Sequence, residues 1–279
     1  MQSYTPAMKE IIKSFYRAVP LKKQLFIGLK SVWTPPKSIY KHLHFKSKFR
    51  IDLSNDHYFY INNNNSEIEN DIFWEGLDNC WEKVSLKLWI ELCKDADIVF
   101  DVGAYTGMYS LVAKCMNPNA KVYTFEPTDR LYKDTLDNAA INNYDIRVEH
   151  LGVSDKNGQV EIEGIYQDNK FVDSVALDNY IDEKNIKGLD LIKIDVEKHE
   201  PQVLEGFKNS LDKYQPTLLI ESLTAEIGEK IQSYVDKFDY LYFNIDEDAG
   251  VRQTNEIRKS DYYNYLLCKK EVAQKLDLI

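Results

Sequence analysis

The sequence predicts an α/β fold, a parallel sheet with helices on both faces, preceded by an extension of helices and short strands. Three observations carry this. From residue 97 onward, short apolar runs alternate with helical stretches, the pattern of strand-helix-strand crossovers. The run 97–101 ends in Asp101 and is followed by Gly103 and Gly107 before a helical stretch at 108–115, so a strand feeds a tight turn and then a helix. A second apolar run, 121–125, closes on Glu126, 25 residues after Asp101, as the next parallel strand of such a sheet would.

Taken in order, the chain starts basic and amphipathic. Met8, Ile11, Ile12, Phe15 and Val19 recur at helical spacing over 7–19, with Lys9, Lys13 and Arg17 stacked four apart, and Pro20 ends the stretch. A second basic helix is expected over 21–33, stopped by Pro35-Pro36. Residues 38–61 predict two or three short strands with a turn near 54–56, and the asparagine tract 62–65 a surface turn. Residues 67–93 predict one or two helices that bury Trp74, Trp81, Leu86, Trp89, Ile90 and Cys93.

The body then reads as strands at 97–101, 121–125, 146–151, 189–194 and 218–220, with helices at 129–142, 177–183, 200–211 and 225–237. Residues 158–173 read as a strand excursion or loop. The segments 240–245 and 262–268 supply two last strands, an antiparallel pair at the edge. This divides the chain into an N-terminal part, 1–95, and a sheet domain, 96–279.

Ligands of an open α/β sheet bind outside the carboxyl ends of the strands. That edge presents Asp101, Glu126, Asp195, His199 and Glu221. Glu126 can accept both ribose hydroxyls of an adenosine. No Gly-Lys-Ser/Thr phosphate loop occurs, which argues against nucleoside triphosphates, and Tyr105 stands where a dinucleotide fingerprint needs its second glycine.

The joint pattern reaches further than any one motif. Asp101-Val102-Gly103-Ala104 with Gly107, Phe125-Glu126-Pro127, Leu177-Asp178-Asn179-Tyr180, Ile192-Lys193-Ile194-Asp195-Val196-Glu197, Glu200 and Val203-Leu204-Glu205-Gly206 stand in the order seen in FkbM-family methyltransferases. The resemblance covers about 96–245. It implies a Rossmann-like class I methyltransferase sheet and S-adenosylmethionine-dependent O-methylation of a hydroxyl group on a sugar or other small or polymeric acceptor, as in glycan biosynthesis. One departure is Lys198, where the family usually has glycine.

Under that resemblance the cofactor side comprises Asp101, which helps hold the donor's ammonium, Gly103 and Ala104 along its amino-acid portion, and Tyr105 and Gly107 completing the turn. Glu126 with Pro127 serves the ribose, Ser154 and Asp155 the base, and Asp195 closes the set. For catalysis, Asp195, Glu197, His199 and Glu200 cluster where the fourth strand ends. His199 is the expected general base, oriented by a carboxylate. A second reading has Asp195 and Glu221 share a divalent cation, although no third ligand is evident.

Charge divides the chain. Residues 1–50 carry eleven Lys and Arg against Glu10 alone, and the remainder 24 bases against 44 acids. The basic arm, residues 1–36, reads either as a peripheral contact with an anionic membrane face, a lipid-linked glycan being a fitting acceptor, or as a cap packed on its own domain or on a second copy. The acidic body and the lack of a reader motif argue against nucleic acid. Cys80, Cys93, Cys115 and Cys268 form no Cys-x-x-Cys pair, so buried thiols in a reducing cytoplasm are expected. No signal peptide or membrane-spanning run is read. Two rival functions share the fold: a non-catalytic adaptor using the basic arm, and a nicotinamide-dependent oxidoreductase.

Overall fold

The computed structural model describes residues 21–54, 56–64, 66–162, 171–258 and 260–279. The amphipathic stretch expected at 7–19 lies outside the described residues. Helix Lys22–Lys30 sets Phe26 against Phe45 and Trp74, while its Lys23 and Lys30 ammonium groups donate to the carbonyls of Lys48 and Phe73. A short helix, Lys37–Tyr40, leads into a hairpin of β1 (Ser47–Asp52) and β2 (Tyr58–Asn63).

Directly opposed residues of an antiparallel pair share a face. Phe49 faces Ile61 and Ile51 faces Phe59, and all four are buried. The asparagine tract is not the expected turn: Asn62 and Asn63 belong to β2, and Asn63 is fully buried. The reason is a polar partner. The amides of Tyr60 and Asn62 donate to the side chains of Asn142 and Asn138, on and just beyond helix Asp129–Ala140, so side-chain amides stand in for a neighbouring strand.

The helical stretch 67–93 resolves into Glu67–Glu75 and Lys83–Cys93, separated by a loop that starts at Gly76 with φ +77°. Trp74, Leu86, Trp89 and Cys93 are buried as expected, while Trp81 and Ile90 are half-buried.

The main sheet is built from β3 (Ile98–Val102), β4 (Lys121–Phe125) and β5 (Ile146–Glu149), joined by helices Met108–Met116 and Asp129–Ala140. A side sheet follows, from β6 (Gly152–Val153), β7 (Gly158–Glu161) and β8 (Phe171–Val175), in the order β6-β8-β7. Helix Leu177–Glu183 returns the chain to β9 (Leu191–Ile194). Two helices, Glu200–Glu205 and Lys208–Tyr214, replace the single expected one, and β10 (Thr217–Glu221) and helix Ala225–Val235 come next. The last strands are β11 (Leu241–Asp246), β12 (Gly250–Thr254) and β13 (Asn264–Cys268), before helix Lys270–Lys275.

Spatial order across this sheet is β12-β11-β13-β10-β9-β3-β4-β5. Strands β5, β4, β3, β9 and β10 are parallel, and β13 runs antiparallel between β10 and β11. β3 has its successor β4 on one side and the much later β9 on the other. This reversal is a topological switch point, and it leaves a crevice at the carboxyl ends of β3 and β9.

Alternation of side chains across the sheet explains its two-sided core. Val99, Leu191 and Leu219 point into one cluster, which is continuous with Phe26, Trp74 and Trp89. Phe100, Ile192 and Leu218 point into the other, under helices Leu177–Glu183, Glu200–Glu205 and Ala225–Val235. All four cysteines are buried free thiols. Among the described residues, no helix is long and apolar enough to cross a membrane.

Candidate functional site

A cavity of about 1760 Å³ opens at the switch point. That exceeds the roughly 300–1,000 Å³ of a single small-ligand pocket and leaves room for two reactants. Its floor is the turn after β3. The Gly103 and Ala104 amides both donate to Phe125 O, and a Cβ on Gly103 would fall 1.8 Å from Asp195 O. With φ +82° as well, only glycine lets β3 turn this close to β9.

Gly107, at φ +83°, serves packing instead: it is not on the cavity wall, and its Cβ would meet Thr135 Cγ2 at 2.8 Å. Tyr105, itself at φ +54°, is on the wall. Its carbonyl accepts from Thr135 Oγ1 at 3.0 Å, which ties the turn to helix Asp129–Ala140.

Glu126 lies beside this turn, on the wall with Pro127. Its Oε2 accepts from Tyr105 N at 2.9 Å and its Oε1 from Thr128 N at 2.8 Å. Burial pushes its carboxyl up to about 7, against the pull of those amides. The Thr128 hydroxyl is a third hydrogen-bond partner of the carboxylate, which leaves one of its four acceptor sites open to an incoming hydroxyl. Asp101 is fully buried beneath the turn and off the wall: Ser110 N and Oγ donate to its Oδ2 at 3.0 and 2.6 Å, while Oδ1 has no partner among the described residues. Burial raises its carboxyl too.

Ser154 and Asp155 also stand behind the wall, where Gly152 and Val153 face the cavity. Ser154 Oγ lies 3.0 Å from Asp155 Oδ1 and 2.9 Å from His199 Nε2. A carboxylate only accepts, so the hydroxyl donates to Asp155 and accepts from His199 Nε2–H, a tautomer assigned from the network. The carboxylate that orients His199 is thus Asp155, through Ser154. Burial lowers the imidazole's pKa, with Asp155 opposing.

The turn after β9 is held by Glu200, whose Oε1 accepts from Val196 N and Lys198 N at 3.2 Å each. Glu200 is fully buried and off the wall, and burial pushes it up to about 7. Glu197 and Lys198 adopt φ +53° and +78°, so the lysine occupies a backbone conformation that suits the glycine it departs from. Asp195, Glu197, Lys198 and His199 all reach the cavity.

Two further groups complete the wall. Lys193 is buried, with Nζ 2.6 Å from Asp195 Oδ2 and 4.6 Å above the Tyr109 ring. Burial works against its charge, yet the carboxylates of Asp195, Glu82 and Asp101 hold the ammonium above the usual lysine range. Glu221, ending β10, is pushed up to about 9 by burial and by the charges of Asp195 and Glu200. The sequence reading missed Lys193 as a site residue, although a lysine inside Leu191–Ile194, an otherwise apolar strand, was a usable signal. Glu82, in the loop between two helices, gave none. Among the described residues, no group of three or more His, Cys, Asp or Glu side chains is placed to hold a metal ion.

Residues 101–252, just over half of the chain, match the Methyltransferase FkbM domain. The hexuronic acid methyltransferase AglP of Haloferax volcanii is 22% identical over 50% of this chain and 61% of its own length. The 31-O-demethyl-FK506 methyltransferase FkbM of Streptomyces tacrolimicus is 27% identical over 48% of this chain and 66% of its own. The chain thus spans less than two thirds of each relative. Among solved structures, methyltransferase FkbM from Methylobacillus flagellatus KT aligns with a TM-score of 0.44 and 19% identity over 62% of this chain and 43% of that one. The chain belongs to the FkbM methyltransferase family.

Proposed function

We propose that the chain transfers a methyl group from S-adenosylmethionine to a hydroxyl of a sugar or glycan. The observation that carries this is Glu126: a carboxylate fixed by two backbone amides and the Thr128 hydroxyl on a cavity wall, with an acceptor site still open, beside a glycine turn. A ribose hydroxyl satisfies that site. S-adenosylmethionine supplies an electrophilic methyl carbon on a sulfonium centre.

With the nucleoside at the end of β4, we assign Gly103, Ala104 and Tyr105 to the amino-acid portion above β3. The acceptor then lies over β9 and β10, beside Lys193, Asp195, Glu197 and Glu221. Carboxylates outnumber lysines on the cavity wall, which suits a donor bearing two cationic groups. Asp101, Gly107 and Glu200 act from behind the wall by fixing the turns, and Ser154 with Asp155 by orienting His199. The hexuronic acid methyltransferase among the relatives supports a sugar acceptor. Holding the acceptor oxygen in line with the methyl supplies much of the rate.

Calorimetry with S-adenosylhomocysteine tests the cofactor half. A micromolar Kd is expected, weakened about a hundredfold in Glu126→Ala by loss of charge-assisted hydrogen bonds worth roughly 1.5–3 kcal/mol. Equal affinity in the variant overturns the assignment. We also assign residues 1–36 to an anionic bilayer surface. Leu25, Val32 and Trp33 are 56%, 81% and 52% exposed, which favours an apolar contact there. Equal pelleting with phosphatidylserine vesicles by the full chain and a chain lacking 1–36 overturns that part.

A further inference from the structure

We propose that Glu82, in the loop between helices Glu67–Glu75 and Lys83–Cys93 and outside the residues that match the family, takes the proton of the acceptor hydroxyl. The inference rests on the O-methyltransferase reading. Glu82 lies on the cavity wall. Its Oε2 accepts from Tyr109 OH at 2.6 Å and its Oε1 from Asn264 Nδ2 at 2.5 Å. A carboxylate oxygen accepts two hydrogen bonds, so each keeps a lone pair for an incoming hydroxyl.

The carboxylate is held from three directions. Tyr109 comes from helix Met108–Met116 and Asn264 from the start of β13. The third restraint is the residue's own backbone, at φ +52°, a conformation that is strained for glutamate and recurs at functional sites. Lys193 of β9 and Asp195 just after it face it, and Glu247 is close by, accepting from Val84 N, Ser85 N and Ser85 Oγ at the start of helix Lys83–Cys93.

The other wall groups are less suited. Asp195 is spent on the Lys193 ammonium, and His199, with Nε2 committed to Ser154 and only Nδ1 left to accept a proton, is made a weaker base by burial. Glu221, pushed up to about 9, carries its proton at neutral pH, and Glu197 is exposed. Glu82 is raised to about 7 by burial, an effect Lys193 opposes and Asp195 reinforces. A base of that strength is about half ionised at neutrality and strong enough to draw a proton. In the step, the hydroxyl proton passes to a Glu82 oxygen as the acceptor oxygen bonds to the methyl carbon. The C–S bond breaks with its electron pair left on sulfur, and the proton then leaves Glu82 for water.

The test uses Glu82→Gln in the full chain, because glutamine keeps an oxygen for Tyr109 and loses the base. S-adenosylhomocysteine should bind the variant within about threefold of the wild type. Transfer of tritiated methyl from S-adenosylmethionine to a panel of methyl glycosides, methyl glucuronide included, should fall about 10²–10³-fold. With S-adenosylmethionine saturating, so that Glu126 is held ionised, the acid limb of kcat/KM for the acceptor against pH should vanish with it. Independently of turnover, an infrared difference titration of wild type against variant, both with S-adenosylhomocysteine, should show one carboxyl titrating near neutrality that the variant lacks.

Activity within twofold of wild type overturns the proposal. So does an acid limb that survives in Glu82→Gln and disappears in His199→Gln, or a Glu82 carboxyl that titrates in the ordinary carboxylate range. A wild type that binds S-adenosylhomocysteine but methylates none of the glycosides counts against the sugar reading alone, and the infrared titration then decides Glu82.

Discussion

Glu126 Oε2 accepts the backbone amide of Tyr105 at 2.9 Å, so the end of β4 and the turn after β3 form one rigid lip of the cavity. The same carboxyl is raised to about 7 by burial, and without a ligand it is protonated below that value. A ribose hydroxyl donates best to the ionised form, and binding therefore pulls the pKa down and releases a proton. S-adenosylhomocysteine affinity is expected to be constant above about pH 7.5 and to weaken by up to about tenfold per unit below pH 7. Calorimetry between pH 5.5 and 8, in buffers of different ionisation enthalpy, measures both the affinity and the proton release. A flat profile would mean that Glu126 does not meet the ribose.

The two glycines of the turn should fail differently. At Gly103 an added Cβ lies 1.8 Å from a backbone oxygen, which cannot yield without parting β3 from β9. At Gly107 it meets a methyl group, Thr135 Cγ2, at 2.8 Å, and a side chain can shift. Gly103→Ala is expected to cost more than about 4 kcal/mol and to abolish soluble expression. Gly107→Ala should cost about 1–3 kcal/mol, mostly from its positive φ. Soluble yield of both variants, with denaturant unfolding of any that folds, checks the order, and a Gly103→Ala protein as stable as Gly107→Ala would contradict the packing described.

Glu200 makes stability depend on pH. Its folded pKa, about 7, lies above the ordinary 4.5, so its stabilising share is complete below the ordinary range and is lost as pH rises through 7. Glu200→Gln keeps an oxygen for the amides of Val196 and Lys198 but cannot ionise. Between pH 5 and 8, the variant's unfolding free energy should improve relative to wild type by on the order of 1–3 kcal/mol. Parallel curves would show that the buried carboxyl is not strained by its charge.

Most of the sheet was legible because its signals are local. Apolar runs mark β3, β4, β9 and β10, acids mark their ends, and Gly103 and Gly107 mark the turn between them. Partnerships made across sequence distance were not legible. Asn62 and Asn63 read as a turn because nothing near them announces Asn138 and Asn142, some 76 to 82 residues away for the paired amides. Position 206 takes a glycine because Ser154 O stands 2.1 Å from where its Cβ would be, a contact outside any local window. The same limit hid Glu82, whose partners Tyr109 and Asn264 arrive from 27 and 182 residues away. It also hid the roles of Ser154 and Asp155, which face His199 rather than the cavity.

Lys198 offers a test in which function and stability separate. Its φ of +78° is one that an L-residue holds at a cost of roughly 1–2 kcal/mol, whereas glycine holds it freely. Its amide is anchored by Glu200 Oε1, so the backbone cannot relax by moving away. Lys198→Gly is therefore expected to raise stability by about 1 kcal/mol, the relief of strain being partly offset by greater freedom in the unfolded chain. Lys198→Ala keeps the Cβ and should gain nothing. Because Lys198 lines the cavity on the side assigned to the acceptor, both variants should leave S-adenosylhomocysteine affinity within about twofold and change methyl-transfer kinetics alike. Denaturant melts set beside turnover on the glycoside panel read the two effects apart. An alanine variant as stabilised as the glycine variant would show that the side chain, not the backbone angle, was the source of strain.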